Sequence, residues 1–266
     1  MFKKILVSLE LAGIKKTVIK IFTNIYLYLS LKKFKKILIE QKIFKTHSLK
    51  KKFTLIYSRN YWSCNESRSG IGSTLKSTQN IRFHLPKIIN KFGIKKIFDA
   101  PCGDFNWMSH ILKSTKVEYH GADIVKNLII TNEKKYGNKT TKFSTLDIRI
   151  DNLYKSDLIV CRDILFHFSY KDIFLFFKNF LSSKIKFILF TSHLNDSPKF
   201  KNKDILTGDF RIIDFFSEPF NFKKNYIYTF DDRDETEIKN FKQMYLFNKL
   251  QIKNNLRHSL IFKKLY

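Results

Sequence analysis

From residue 94 onward, short apolar runs alternate with segments in which apolar residues recur every three or four positions. The runs have the length of buried strands, and the wider spacing is typical of amphipathic helices. Strands that alternate with helices over such a length indicate βαβ crossovers, which produce a parallel sheet covered by helices on both faces. We therefore expect an α/β fold.

The predicted elements follow one another in a regular order. Strands are expected at residues 94–100, 117–124, 141–148, 157–163 and 186–193. Helices are expected at residues 78–90, 106–114, 125–136 and 170–183. The extended segments 225–232 and 242–250 are expected to pair antiparallel at the sheet edge. This order predicts a Rossmann-like, doubly wound, mostly parallel sheet with an antiparallel strand at its C-terminal edge.

The first 50 residues have a different pattern. Apolar residues such as Val18, Ile21, Ile25 and Leu29 recur at helical spacing between lysines, which predicts an amphipathic helical extension. We expect residues 1–52 to form this extension and residues 53–266 to form one domain. The extension either packs on the domain with its lysines in water or makes a peripheral membrane contact through residues 1–50.

The charge balance, 50 Lys and Arg residues against 23 Asp and Glu residues for a net charge of +27, would ordinarily suggest a polyanionic partner such as nucleic acid or an anionic membrane surface. Frequent Lys, Phe, Ile and Asn are also typical of an AT-rich genome. Glutamate shares that codon bias, so the bias does not explain the excess of lysine over acids. The lysines are spread over the whole chain without a recognised RNA-binding module. Nucleic acid therefore stays open as a partner but is not favoured.

The cysteines Cys64, Cys102 and Cys161 are widely spaced and form neither a CxxC pair nor a zinc-ligand pattern. We expect a reducing, cytoplasmic location and no metal site. No apolar run reaches the roughly 18 residues of a membrane-spanning helix. Glu10 interrupts the first apolar stretch, which argues against a secretory signal. Peripheral association with the inner membrane face remains the alternative location.

Candidate chemistry lies where the predicted strands end. In a doubly wound sheet, ligands bind beyond the carboxyl ends of the strands, where the strand order reverses. The first strand runs into FDAPCGDFNWM, which places Asp99 and Gly103 at that edge, and a glycine there allows a tight turn and a close approach to a ligand. Asp123 ends the next strand, 24 positions after Asp99, where a carboxylate that binds ribose hydroxyls is expected.

The sequence DAPCG followed by an acid at the end of the next strand resembles motif I and its sequel in class I S-adenosylmethionine-dependent methyltransferases. The strings FDAPCGDFNWM, IYSRNYWSCNESRSGIGS, YHGADIVKNLI and DLIVCRDILFHFS are similar to a bacterial family of these enzymes, over roughly residues 53–250. The resemblance implies S-adenosylmethionine as cofactor. The loop that it implies around the methionine moiety consists of Asp99, Ala100, Pro101, Cys102 and Gly103.

The same resemblance implies further cofactor contacts at the following strand ends. Asp123 with Ile124 would meet the ribose, and Asp147 with Ile148 would meet the adenine. Arg162 would lie beside the methyl-transfer centre. The chain departs from the common acid-x-Gly-x-Gly-x-Gly loop because the first and third glycine positions hold other residues. That departure argues against a nicotinamide cofactor, whose pyrophosphate needs close backbone approach at several glycines.

Methyl transfer from a sulfonium requires an aligned nucleophile and, for a hydroxyl acceptor, a base. Asp163 and His167 are four residues apart and would share a face if a helix began there. His193 ends the fifth predicted strand. These three are the candidate catalytic residues, since imidazole titrates near neutrality and carboxylates accept protons. Each has an alternative as a packed or hydrogen-bonded structural residue.

Substrate contacts are expected in two loops. Ser69, Gly70 and Gly72 in SRSGIGST suit a lid or an anion-binding nest, although a plain connector would look similar. Arg211 could hold a carboxylate or phosphate with two hydrogen bonds, or form a surface ion pair with Asp209.

The function that these features predict is methyl transfer to an oxygen or nitrogen of a small molecule, a glycan or a lipid-linked intermediate. One alternative is an RNA methyltransferase. The other is an inactive binding or scaffold protein with the same fold, which the missing loop glycines favour and the retained strand-end acids oppose. The oligomeric state is left open.

Overall fold

The computed structural model describes residues 25–259 except 32, 35–36, 44, 47, 196, 198 and 234–240. The chain divides into two compact units, Met1–Thr46 and His47–Tyr266. In the first unit, residues 25–31, 33–34 and 37–43 are helical. Residues 1–24 of the predicted extension lie outside the described residues.

The described part of the second unit is built on a seven-stranded sheet. Its strands are β1 (Lys96–Asp99), β2 (Glu118–Asp123), β3 (Thr141–Thr145), β4 (Leu158–Cys161), β5 (Phe187–Leu194), β6 (Tyr228–Asp231) and β7 (Phe241–Asn248). The spatial order is β3-β2-β1-β4-β5-β7-β6, and strands β1 to β5 are parallel. This arrangement confirms the Rossmann-like, doubly wound α/β fold.

The antiparallel pair at the C-terminal side is also present, with one difference from expectation. β7 pairs antiparallel with both β5 and β6, so the earlier strand β6 forms the sheet edge and the last strand lies inside. The burial of the two strands explains this order. Four consecutive residues of β7 are buried, whereas β6 has one buried residue, and the more apolar strand takes the inner position.

Helices cover the sheet; four of them lie at positions that the periodicity predicts, whereas the first and the last, Leu49–Ser58 and Lys249–His258, were not predicted. The helices are α1 (Leu49–Ser58), α2 (Gln79–Lys91), α3 (Met108–Leu112), α4 (Lys126–Tyr136), α5 (Tyr170–Ser182) and α6 (Lys249–His258). Local side chains fix several of their ends. Ser169 accepts a hydrogen bond from Asp172 N at the start of α5, and Asn248 forms a capping box with Gln251 at the start of α6.

Phenylalanines form much of the core beside β5. Phe190 lies on this strand, and its ring centroid is 5.1 Å from that of Phe215 and 5.7 Å from that of Phe177 on α5. Phe215 belongs to the long connection between β5 and β6, which has little regular structure. Buried aromatic contacts therefore hold that connection against the sheet.

Within the described residues, we find no helix that combines the length and the apolar character needed to cross a bilayer.

Candidate functional site

A cavity opens at the carboxyl ends of β1 to β4, where the strand order reverses between β1 and β4. It contains about 920 Å³ of empty space, including its open mouth. The predicted site residues that line it are Ser69, Pro101, Cys102, Gly103, Asp123, Ile124, Asp147, Ile148, Arg162, Asp163 and His167. Those that do not line it are Gly70, Gly72, Asp99, Ala100, His193 and Arg211.

The loop after β1 folds over the end of β2. Gly103 adopts a positive φ of 53°, its N–H donates to Asp123 Oδ2 at 3.3 Å, and its carbonyl accepts from Asn132 Nδ2 at 2.8 Å. Cys102 N donates to the Ala122 carbonyl at 2.8 Å. These bonds bring the Gly103 backbone and the Asp123 carboxylate together at the cavity wall.

The loop that contains SRSGIGST is fastened to the same region through Asp104. The Asp104 carboxylate accepts hydrogen bonds from Ser67 Oγ and Arg68 N, each at 2.9 Å, and Asp104 N donates to Ser69 Oγ at 2.9 Å. Asn106 Nδ2 also donates to the Ser73 carbonyl at 3.0 Å. Two segments that are about 35 residues apart in the chain thus form one wall.

We expect Gly103→Ala to destabilise the protein by about 1–3 kcal/mol more than Gly93→Ala does. Both glycines have positive φ values, 53° and 61°, so both alanines carry the backbone strain of that region. A Cβ at Gly93 meets open space, whereas one at Gly103 would overlap Ser69 Oγ. Urea unfolding of both variants measures the difference. Equal losses would show that the close approach of Ser69 is unimportant.

Two carboxyl groups at the first two strand ends are buried. Burial raises the pKa of Asp123 to about 6, although hydrogen bonds from the backbone N–H groups of Val125 and Gly103 act to lower it. Burial raises the pKa of Asp99 to about 7, although Asp99 accepts a 2.8 Å hydrogen bond from the Tyr119 hydroxyl. Asp123 lines the cavity, whereas Asp99 does not.

Asp147 lines the cavity beyond β3, and its carboxylate is held by Arg149. Arg149 Nε is 2.9 Å from Asp147 Oδ1, and Nη2 is 2.6 Å from Oδ2. Arg149 Nη1 also donates to Asp172 Oδ1 at 2.6 Å. The predicted strand 141–148 ends at Thr145, because Asp147 N donates to the Asp151 carboxylate in a turn. Asp147 is therefore fixed in orientation.

A cluster of four charged side chains lies at the end of β4. Arg162 Nε donates to Asp232 Oδ2 at 2.8 Å, and Arg162 Nη1 is 3.2 Å from Asp163 Oδ2. Lys242 Nζ, from β7, is 3.0 Å from Asp163 Oδ2 and 3.9 Å from Asp232 Oδ2. Three of the four side chains are almost fully buried, and Asp163 is one-fifth exposed. Asp163 is thus the member of the cluster best placed to meet a ligand.

The two acids of this cluster are affected differently by their surroundings. Burial alone would raise the pKa of Asp163, but Arg162 and Lys242 outweigh it and hold that pKa well below its usual range. Burial raises the pKa of Asp232 despite the same two cations. Asp163 therefore stays ionised at the cavity wall.

The expectation that Asp163 and His167 share a helical face is wrong. Asp163 has a positive φ of 56°, and its N–H donates to Thr191 Oγ1 at 2.9 Å, so a helix cannot begin there. A short 3₁₀ turn, Leu165–His167, follows it. Both side chains nevertheless line the cavity.

The environment of His167 determines which ring nitrogen carries the proton. Nδ1 lies 2.7 Å from the Asp209 carbonyl oxygen, which can only accept, so Nδ1 is the donor and Nε2 carries the lone pair of the neutral ring. Burial lowers the pKa of His167 below 6.5. The ring is neutral at physiological pH and presents a proton acceptor.

Two further candidates, His193 and Arg211, make contacts within the protein and do not line the cavity. His193 is buried, and its Nδ1 accepts from Ile213 N at 3.3 Å; burial lowers its pKa to about 4. Arg211 donates from Nη1 to the Phe168 carbonyl at 2.6 Å and lies over the Tyr170 ring. These contacts do not include the expected pairing of Arg211 with Asp209. The connection after β5, to which Arg211 itself belongs, packs against His193, and neither residue lines the cavity.

Gly70 and Gly72, the two glycines predicted to contact substrate, do not line the cavity but contact residues that do. Gly70, with a φ of 103°, packs on the side chain of Trp62. The Gly72 carbonyl accepts from Arg162 Nη1 at 2.7 Å. Both are therefore adjacent to residues that line the cavity.

Several important lining residues were missed at the level of sequence. Aromatic side chains form much of the wall, namely Phe53, Tyr57, Trp62, Trp107 and Phe168. Phe53 and Tyr57 are four residues apart on α1, a spacing that could have indicated a shared face.

Across the described residues, no group of three or more His, Cys, Asp or Glu side chains is arranged to hold a metal ion.

No family model and no curated protein matches this chain. Among solved structures, Burkholderia thailandensis 1,6-didemethyltoxoflavin-N1-methyltransferase, with bound 1,6-didemethyltoxoflavin and S-adenosylhomocysteine, is 12% identical; the match covers 75% of this chain and 86% of that one, with a TM-score of 0.53. The methyltransferase domain of bacterial CtHen1-CN is 14% identical over 64% and 98% of the two chains, with a TM-score of 0.47. Human N-acetylserotonin methyltransferase in complex with SAM is 12% identical over 73% of this chain and 57% of that chain, with a TM-score of 0.49. The match to the Burkholderia enzyme shows that this chain shares the α/β fold of a methyltransferase.

Proposed function

We propose that the protein is an S-adenosylmethionine-dependent methyltransferase acting on an oxygen or nitrogen of a small molecule, a glycan or a lipid-linked intermediate. One observation carries this proposal: the Gly103 backbone and the Asp123 carboxylate are hydrogen-bonded to each other and line one cavity. The cavity lies where the strand order of the sheet reverses. Ligands of doubly wound sheets bind at this place.

The residues of the cavity fit the proposed cofactor. A Cβ at Gly103 would clash with Ser69, so the glycine keeps the backbone close to the cavity. Asp123 would accept hydrogen bonds from the ribose hydroxyls, and Asp147 would accept from the adenine amino group. S-adenosylmethionine, when bound, would supply a methyl group on a cationic sulfur; as the acceptor bonds to the methyl carbon, the carbon–sulfur bond breaks and the sulfur leaves as a neutral thioether. The ionised Asp163 suits a cavity that holds a cation.

His167 is the best-placed general base of the described cavity residues. For a hydroxyl acceptor, Nε2 would take the hydroxyl proton while the oxygen lone pair forms the bond to the methyl carbon. The hydrogen bond to the Asp209 carbonyl keeps the ring in the tautomer that this transfer needs. Trp62, 6.0 Å from the His167 ring, helps to exclude water from the base.

The cavity wall favours an acceptor with an apolar or planar portion over a nucleic acid. Aromatic side chains such as Trp62, Trp107 and Phe168 line it. Among the described lining residues, Arg162 is the one Lys or Arg, and it is already paired with Asp163 and Asp232. Recognition of a phosphate backbone would require more cations at this place.

Calorimetric titration with S-adenosylmethionine and S-adenosylhomocysteine tests the proposal. We expect micromolar binding of both ligands and a loss of affinity of about 10- to 100-fold in Asp123→Ala, because hydrogen bonds to a buried carboxylate are lost. Glu118→Ala is the matched control: it removes an exposed carboxylate at the opposite end of the same strand, and its affinity should be unchanged.

The absence of binding heat for both ligands, in a sample shown to be folded by circular dichroism, would refute the methyltransferase proposal. Binding that survives in Asp123→Ala would refute the assigned cofactor position. If binding behaves as expected, mass spectrometry of candidate glycan, small-molecule and RNA acceptors for a gain of one methyl group identifies the acceptor class.

A further inference from the structure

An apolar stripe of four large side chains lies in the first unit. Leu27, Leu31, Phe34 and Leu38 are all helical and follow one another at intervals of four, three and four residues, the spacing of one helix face. Each is about half exposed, from 49% for Leu38 to 58% for Phe34. Leucine and phenylalanine side chains exposed together in this way mark an interaction surface.

The charge around the stripe identifies the partner that it fits. Residues 25–43 contain Lys32, Lys33, Lys35, Lys36 and Lys42 but a single acid, Glu40. A second copy of the same segment would bring like charges together, which opposes self-association. An anionic lipid surface satisfies both features, because its headgroups attract lysines and its acyl boundary accepts apolar side chains.

We propose that residues 25–43 bind the surface of an anionic membrane through the stripe Leu27, Leu31, Phe34 and Leu38. Helices of this kind lie in the plane of the headgroups with the apolar face directed at the acyl chains and the basic residues near lipid phosphates. The lysines spread among the apolar residues of 25–43 suit a segment that lies on the membrane surface. This inference concerns where the protein acts and does not depend on the proposed methyl transfer.

Flotation of the full chain with lipid vesicles tests the inference. The vesicles are phosphatidylcholine alone or phosphatidylcholine mixed with phosphatidylglycerol, each at low and high salt. We expect the chain to float with the anionic vesicles, less so at high salt and least with phosphatidylcholine alone. The double variant L31E/F34E should bind at least about tenfold more weakly, because it places two charges on the apolar face.

The double variant L206E/L250E is the matched control. It makes the same change in net charge at two leucines of the second unit that are 70% and 65% exposed, and it should bind vesicles like the original chain. Circular dichroism confirms that both variants are folded.

Equal flotation of the two variants would overturn the inference, since charge alone would then account for binding. A chain that does not float with anionic vesicles would also overturn it. Sedimentation analysis tests the remaining outcome. If the original chain forms a dimer that L31E/F34E abolishes, and the original chain does not bind vesicles, the stripe binds a second copy of the chain and the inference is overturned.

Discussion

His167→Asn is expected to lower kcat for a hydroxyl acceptor by about 100- to 10,000-fold, the usual contribution of a positioned general base. Asparagine can still donate a hydrogen bond to the Asp209 carbonyl from its amide, whereas the proton-accepting Nε2 is lost. The binding of S-adenosylhomocysteine should be unchanged, because His167 is assigned to the acceptor and not to the cofactor. Single-turnover rates and calorimetry on the same samples separate the two effects.

The pH dependence of this variant provides the more specific test. Burial lowers the pKa of the His167 imidazole from its ordinary value, so kcat/KM of the original chain should be constant at neutral pH and fall only in acid. The rates are measured at saturating S-adenosylmethionine, so that protonation of Asp123, whose pKa is about 6, does not limit cofactor binding; His167→Asn should then lack this acidic limb. His110→Asn, a change at an exposed histidine, should retain both the rate and the limb. A limb that persists in His167→Asn would assign the base to another group.

Lys242→Met is expected to lower the free energy of unfolding by about 3–5 kcal/mol, because it leaves buried carboxylates without one of their two cations. Methionine has a similar length and keeps most of the packing. Lys186→Met is the matched control: it makes the same substitution in an exposed pair, 3.9 Å from Asp157, and should cost less than about 1 kcal/mol. Urea unfolding of the three proteins gives these values.

The cost of Lys242→Met should decrease in acid. Lys242 helps to hold the pKa of Asp163 in the folded protein below its value in the unfolded chain. The stability gained in this way is fully present above the unfolded-state pKa of the aspartate and is lost as the pH falls below it. The pKa of Asp232, which burial already raises, would rise further without the lysine, so the penalty grows with pH. The difference in free energy of unfolding between the original chain and Lys242→Met should therefore be larger at pH 7 than at pH 4. A difference independent of pH would mean that lost packing, and not charge, causes it.

The fold and the proposed cofactor side of the cavity were predictable because their signals are local. A buried strand followed by an acid or a glycine places Asp99, Gly103 and Asp123 at one sheet edge without any knowledge of distant contacts. The hydrophobic period gave four of the six helices described in the second unit, with α3 shorter than the predicted span 106–114, but it gave neither α1 nor α6.

The acceptor side was harder to predict, because it depends on pairing between distant segments. Lys242 reaches Asp163 only through the register in which Lys242 faces His193 across β5 and β7. The same pairing, together with the segment around Ile213, buries His193, although its position at a strand end suggested a free side chain. Local sequence also gave no sign that Asp163 would take a left-handed conformation instead of beginning a helix.

The position of β7 between β5 and β6 has a consequence for the way the protein is made. The ribosome releases β6 before β7, yet among the described strands β7 is the one that pairs with β6. The parallel strands can associate while the chain is still being synthesised, but β6 must wait for the strand that follows it. Asp232 and Lys242 join Arg162 in the same step. The charged end of the cavity is therefore completed last, so an unfinished chain carries the cofactor loop before it has a finished acceptor side.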